Sequence, residues 1–108
     1  MDRVGIVGAG PSGAFLAERL SAGGANVVIF DHAAPREKPC GGAVTPRSIR
    51  AFPFLTEVTE KVGVRRVRVL SPRDHEVVLE SAVPAYVFTR KALDSFLLDR
   101  ALNSGASF

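Results

Sequence analysis

The chain has 108 residues, 46% hydrophobic and 23% charged, a makeup that suits a folded globular unit and leaves room for no more than one domain. Its 14 Lys and Arg against 11 Asp and Glu leave a formal charge of +3 without any block of like charges, which argues against nucleic acid as a partner. A single cysteine excludes an internal disulfide, and with two histidines it cannot supply a zinc cage of the usual spacing; no metal site is expected, and a reducing, cytoplasmic setting is. No apolar run reaches the roughly 20 residues that cross a bilayer, and the glycine-broken start leads into Pro11 and Ser12 instead of an export cleavage site.

Val4 to Val7 is a short, mostly β-branched run that ends at Gly8 and reads as a buried parallel strand. From Pro11 the spacing turns helical, with Ala14, Ala17 and Leu20 on one side and Gly23-Gly24 as the stop. Val27 to Phe30 repeats the strand signal and ends at Asp31, so the first third predicts strand, helix and parallel strand with a right-handed crossover. Residues 32–45 carry two prolines and a Gly-Gly pair and read as a long ordered loop. Thr45-Pro46 predicts a capped short helix to about Phe52, stopped by Pro53, while Leu55 to Val62 fits helix and strand equally.

Val64 to Leu70 and Val77 to Leu79, joined by the turn-rich Pro72 to His75, predict a hairpin, and Tyr86 to Phe88 a further strand. Thr89 caps a second long helix in which Leu93, Phe96, Leu97 and Ala101 form the core side and Gly105 the end. Ala106-Ser107-Phe108 looks like a strand beginning, which reads as a truncated domain. The fold class expected is α/β: a Rossmann-like three-layer FAD/NAD(P)-binding fold with a central parallel sheet and an antiparallel hairpin, residues 1–108 forming the N-terminal part of one FAD-binding domain. A sheet cut short leaves an open edge, so self-association through that edge is expected.

Gly8-Ala9-Gly10-Pro11-Ser12-Gly13 matches GxGxxG between a predicted strand and a predicted helix, the context that gives such a match weight. The first glycine allows the tight turn, the second lets backbone approach a pyrophosphate, and the third lets helix and strand pack closely. The helix start then offers free N–H groups and partial positive charge to a diphosphate. Asp31 ends the second strand near the roughly 20-residue spacing at which an acid accepts from an adenosine ribose. A carboxylate there repels the 2'-phosphate of NADP, so the site reads as FAD or NAD, and spacing does not separate the two.

The stretch Lys38-Pro39-Cys40-Gly41-Gly42-Ala43-Val44-Thr45-Pro46, together with the glycine loop, Asp31 and Arg90-Lys91-Ala92-Leu93-Asp94, resembles the geranylgeranyl reductase family of FAD-dependent oxidoreductases, which share the para-hydroxybenzoate hydroxylase type of fold. The resemblance implies FAD as cofactor, with Gly8 to Gly13 under the diphosphate, Asp31 and the adjoining His32 at the ribose, and the Cys40-Gly41-Gly42 turn toward the flavin. It also implies that Arg90 approaches the ribityl or diphosphate portion. The complete enzyme would reduce isoprenoid or other apolar double bonds with electrons from NAD(P)H or a small carrier; the 108-residue chain alone is expected to be inactive, and no catalytic side chain is in view.

Blander readings stand beside these. Gly41-Gly42 also suits an ordinary turn, Cys40 an inert small residue, and Arg90 a salt-bridged first-turn cation, although a cation there gains nothing from the helix dipole. Arg65, Arg66 and Arg68 read as the wet side of a strand, with peripheral contact to lipid phosphates as the alternative, and His75 as exposed. A flavin monooxygenase or halogenase of the same fold, or a non-catalytic dinucleotide-binding module, are the rival functions.

Overall fold

The structure is a computed structural model that describes residues 2–108. The chain divides into two compact units, one running to Cys40 and resuming over Thr89–Phe108, the other formed by Gly41–Phe88.

In the first unit, β1 (Arg3–Val7), α1 (Pro11–Ala22) and β2 (Asn26–Phe30) make the expected strand, helix and parallel strand, with Arg3 opposite Asn26 and Val7 opposite Phe30. α3 (Arg90–Asn103) follows, and the chain then returns to the sheet at Ser107. The Ile29 amide donates to the Ser107 carbonyl at 2.8 Å and the Ser107 amide to the Val27 carbonyl at 2.9 Å, so β2 is flanked on both sides. Ile6, Val27 and Ile29 point to one face, where they pack with Ala17 of α1 and Leu98 and Ala101 of α3. Ala14 and Ala17 are fully buried, since only a methyl group fits where α1 lies close. Arg100 of α3 forks onto Glu18 of α1 at 3.1 and 2.6 Å.

Of the three layers expected, the described residues supply the sheet and one helical layer. Both crossovers step the same way along the sheet, and a right-handed connection then places both helices on the same side. The other face carries Gly5, Val7 and Phe30, and Val7 is 90% exposed. β1 is therefore not the fully buried strand that its composition suggests: it is covered on one face and paired on one edge.

In the second unit, β3 (Ala43–Val44), β5 (Glu76–Phe88) and β4 (Lys61–Leu70) form an antiparallel sheet in that order. Residues expected in loop thus supply a two-residue strand, β3, held by Phe88 N–H to the Gly42 carbonyl at 2.9 Å. α2 (Pro46–Ala51) is capped by Thr45 and stops before Pro53 as expected, and Pro53 opens a 3-10 helix over Pro53–Glu57. The ambiguous stretch from Leu55 resolves as the end of that turn, a short connection and the start of β4 at Lys61. Tyr86 to Phe88 is not a separate strand: it is the end of the 13-residue β5. The ladder steps from Val64↔Ala85 to Arg66↔Glu80, leaving 81–84 outside it, so Pro84 interrupts no hydrogen bond. No helix among the described residues is long and apolar enough to cross a membrane.

Candidate functional site

The first unit assembles Gly8 to Gly13, Asp31, His32, Cys40 and Arg90 from four separate stretches of chain. The glycine loop leaves β1 with the Gly8 amide donating to the Phe30 carbonyl at 2.7 Å, which ties the turn to the neighbouring strand. A Cβ on Gly13 would overlap the Gly8 carbonyl oxygen, so the third glycine is required where helix and loop touch.

Gly10 is the N-cap of α1, with no side chain capping it and no acid in the first turn. The two other α-helices both start on a threonine: Thr45 accepts from the Ser48 amide and Thr89 from the Ala92 amide. At α1 the first helical hydrogen bond is Ala14 N–H to the Gly10 carbonyl at 2.9 Å. Gly8 and Ala9 spend their amides inside the protein, so the donors at the helix start are those of Gly10, Ser12 and Gly13, Pro11 having none.

Asp31 closes the other side. Its Oδ2 accepts from the Ala9 amide at 2.9 Å, and its Oδ1 from the amides of Ala33 and Ala34, each at 2.9 Å. These bonds, the Ala9 amide foremost, hold its pKa at about 2 against an ordinary 3.8, with His32 at 3.9 Å adding a small pull in the same direction. Three of its roughly four acceptor positions are used, which leaves capacity for a hydroxyl donor. Asp31 lies in a groove with Val7, Gly8, Ile29, Phe30, His32 and Phe108, an apolar rim with one carboxylate at the C-terminal ends of the parallel strands. The His32 side chain is exposed.

Arg90, in the first turn of α3, forks onto Asp94 at 3.0 and 3.1 Å. Its pKa is raised by Asp94 first and by the Cys40 side chain second, so the exposed Cys40 stands beside it. The first anionic partner of this unfavourably placed cation is thus a residue of its own helix. Two residues of this neighbourhood, Asp94 and Lys38, lie in the stretches that carry the resemblance but had no role of their own in the sequence. Asp94 is 2% exposed, and Lys38 Nζ lies 3.9 Å from its Oδ2. The same ammonium is 3.6 Å from where a Cβ on Gly10 would sit. The i,i+4 spacing of Arg90 and Asp94 was a signal for their pairing; nothing local marked Lys38.

In the second unit, Gly42 adopts φ +71°, and a Cβ there would overlap the Phe88 carbonyl oxygen, so this glycine is required by the sheet itself. Gly41 is exposed with open space around it. Arg66 and Arg68 pair across the hairpin with Glu80 at 3.0 Å and Glu76 at 2.9 Å, on a wet face as expected.

A family model described as NAD(P)-binding Rossmann-like domain matches residues 6–73. The chain is 31% identical over 108 residues to a chloroplastic geranylgeranyl diphosphate reductase of Oryza sativa subsp. japonica, covering 96% of this chain and 23% of that one. Among solved structures, a geranylgeranyl bacteriochlorophyll reductase-like protein from Thermoplasma acidophilum superposes with a TM-score of 0.78 at 20% identity, over 98% of this chain and 28% of that one, a likeness of fold. A mutant of the halogenase PltM in complex with FAD superposes with a TM-score of 0.70 at 26% identity, over 98% of this chain and 26% of that one. The chain spans about a quarter of the length of the relatives it matches.

Proposed function

The chain belongs to the NAD(P)-binding Rossmann-like domain family, and from that membership we propose that it forms the FAD-binding portion of a flavin-dependent oxidoreductase that reduces isoprenoid double bonds. The observation that carries the reading is the pairing of an uncapped helix start at Gly10 with the ionised Asp31, bonded to the same loop through Ala9. Unpartnered N–H groups and the positive end of α1 suit a diphosphate, and a carboxylate with acceptor capacity left suits ribose hydroxyls. These residues fit an adenine dinucleotide. Similarity to geranylgeranyl diphosphate reductases over 96% of the chain favours FAD and an isoprenoid substrate.

In this reading Gly10, Ser12 and Gly13 donate to the diphosphate, Gly8, Ala9 and Pro11 shape the loop, and Asp31 accepts from the ribose with His32 beside it. Arg90 and Cys40 face the cofactor from the start of α3 and the loop that follows β2. Gly41 and Gly42 are kept as cofactor contacts on the strength of the sequence resemblance. Held by these residues, FAD would supply hydride chemistry for saturating an alkene, with the proton coming from another group and the reducing equivalents from NAD(P)H or a small electron carrier.

The test is to express the protein as its gene encodes it, record the visible flavin spectrum, and supply a prenylated substrate with dithionite. Bound flavin with saturation of the double bond is expected; bound flavin without it would remove the reductase assignment. The likeness to a FAD-bound halogenase favours one second reading, an oxygen-using flavoenzyme. Rapid NADPH oxidation yielding peroxide or a hydroxylated or halogenated product would select that reading instead.

A further inference from the structure

We infer that Asp94 is a positioning residue of the nucleotide site, its buried carboxylate holding two cations, Arg90 and Lys38, beside the glycine loop so that they face the diphosphate. The inference rests on the FAD reading and adds to it two residues and a division of labour.

Asp94 is the one polar or charged side chain buried among the described residues. A carboxylate out of water persists only where it is paired, and Arg90 already supplies two hydrogen bonds, one to each oxygen. A second cation is more than that carboxylate needs. Lys38 nevertheless stands 3.9 Å from Asp94 Oδ2 and against Gly10, the residue that opens the uncapped helix. The loop that carries it is pinned to the same helix turn, because Glu37 Oε1 accepts from the Lys91 amide at 2.9 Å. Two cations share the one buried carboxylate, and the ammonium of Lys38 stands beside backbone donors that themselves suit an anion. Lysine and arginine side chains are long and lose considerable freedom when fixed, so a buried anchor that holds both in advance lowers the cost of meeting a ligand.

Position and charge make opposite predictions for Asp94. Were its charge all that mattered, neutralising it would leave the cations unopposed and tighten an anionic ligand. Were its role to hold them in place, neutralising it would loosen that ligand. The proposal is the second.

FAD affinity of the protein as its gene encodes it, read by flavin fluorescence at several ionic strengths, decides between them, with adenosine as a phosphate-free probe and thermal melting as a check on folding. K38M is expected to weaken FAD by about tenfold, the scale of one charge-assisted hydrogen bond, and to flatten the dependence on salt. D94N is expected to weaken FAD on a similar scale, and by less when introduced into K38M, because the two act through one contact. Adenosine binding stays unchanged in both. Tighter FAD binding in D94N, full additivity of the pair, or unchanged affinity in K38M overturns the inference. If D94N does not fold, the partly exposed Lys38 still decides through K38M alone. A wild-type protein that takes up no FAD overturns the cofactor reading itself, before any variant is compared.

Discussion

The Ala9 amide donates to Asp31 Oδ2 at 2.9 Å across 22 positions of sequence, so the glycine loop and the acid that follows β2 are joined directly. The carboxylate thereby orients the loop and stays ionised. Asp31→Asn keeps the shape but turns an N–H or a weaker acceptor toward the Ala9 amide. It is expected to lower FAD affinity by about tenfold or more, with one charge-assisted bond to the ligand lost as well. Equilibrium titration with FAD and with adenosine checks this, and both ligands should weaken, since both carry the ribose.

The same contact predicts an acid limb of stability. Asp31 titrates at about 2 in the folded chain and at 3.8 ordinarily. The unfolded state therefore holds more protons between those values, and stability rises with pH there. The contribution is complete above the ordinary value and fades as pH falls through about 2. Unfolding midpoints followed downward in pH should fall less steeply for D31N than for the wild type. Parallel curves would contradict the assignment.

Gly13→Ala places a methyl group on the Gly8 carbonyl oxygen, a backbone atom that cannot move aside as a flexible side chain would. Overpacking of this kind costs about 1–3 kcal/mol, read by denaturant titration. Nucleotide uptake should suffer in the same variant, because the displaced loop carries the donors. Gly41→Ala, with open space around the position, is the matched control and should leave stability within about 0.5 kcal/mol.

Thr89 caps α3 by accepting from the Ala92 amide at 3.2 Å. Thr89→Ala is expected to cost about 1 kcal/mol, again by denaturant titration. Arg90 follows the cap directly, so FAD affinity should fall in this variant too, though by less than in K38M. An unchanged denaturation midpoint would mean that the cap contributes nothing.

Among the described residues β1 pairs only with β2, and Val7 at its end is 90% exposed. An open strand edge with an apolar residue on it recruits further strands. A polypeptide of residues 1–108 is expected to sediment as dimers or larger species, and Val7→Lys to shift it toward monomer. A wild-type monomer at high concentration would contradict this.

What could be read from the residues in order was local. The glycine spacing, the threonine caps of α2 and α3, Asp31 at a strand end and the returning strand at Ser107 are each signalled within a few positions, because turns, caps and strand ends depend on nearby backbone chemistry. That Val77 to Leu79 and Tyr86 to Phe88 belong to one strand, β5, was not legible, because their continuity depends on the partner strand, whose register skips 81–84. Lys38, Gly10 and Asp94 are far apart in sequence and meet only because the crossovers bring the start of α3 and the loop that follows β2 to the C-terminal end of the parallel strands. Sequence determined that a glycine-opened helix start and an acid at the end of the neighbouring strand exist. Only the tertiary structure decided which cations stand beside them and which buried carboxylate holds those cations, since pairing of charges is set by distance in space and by exclusion of water.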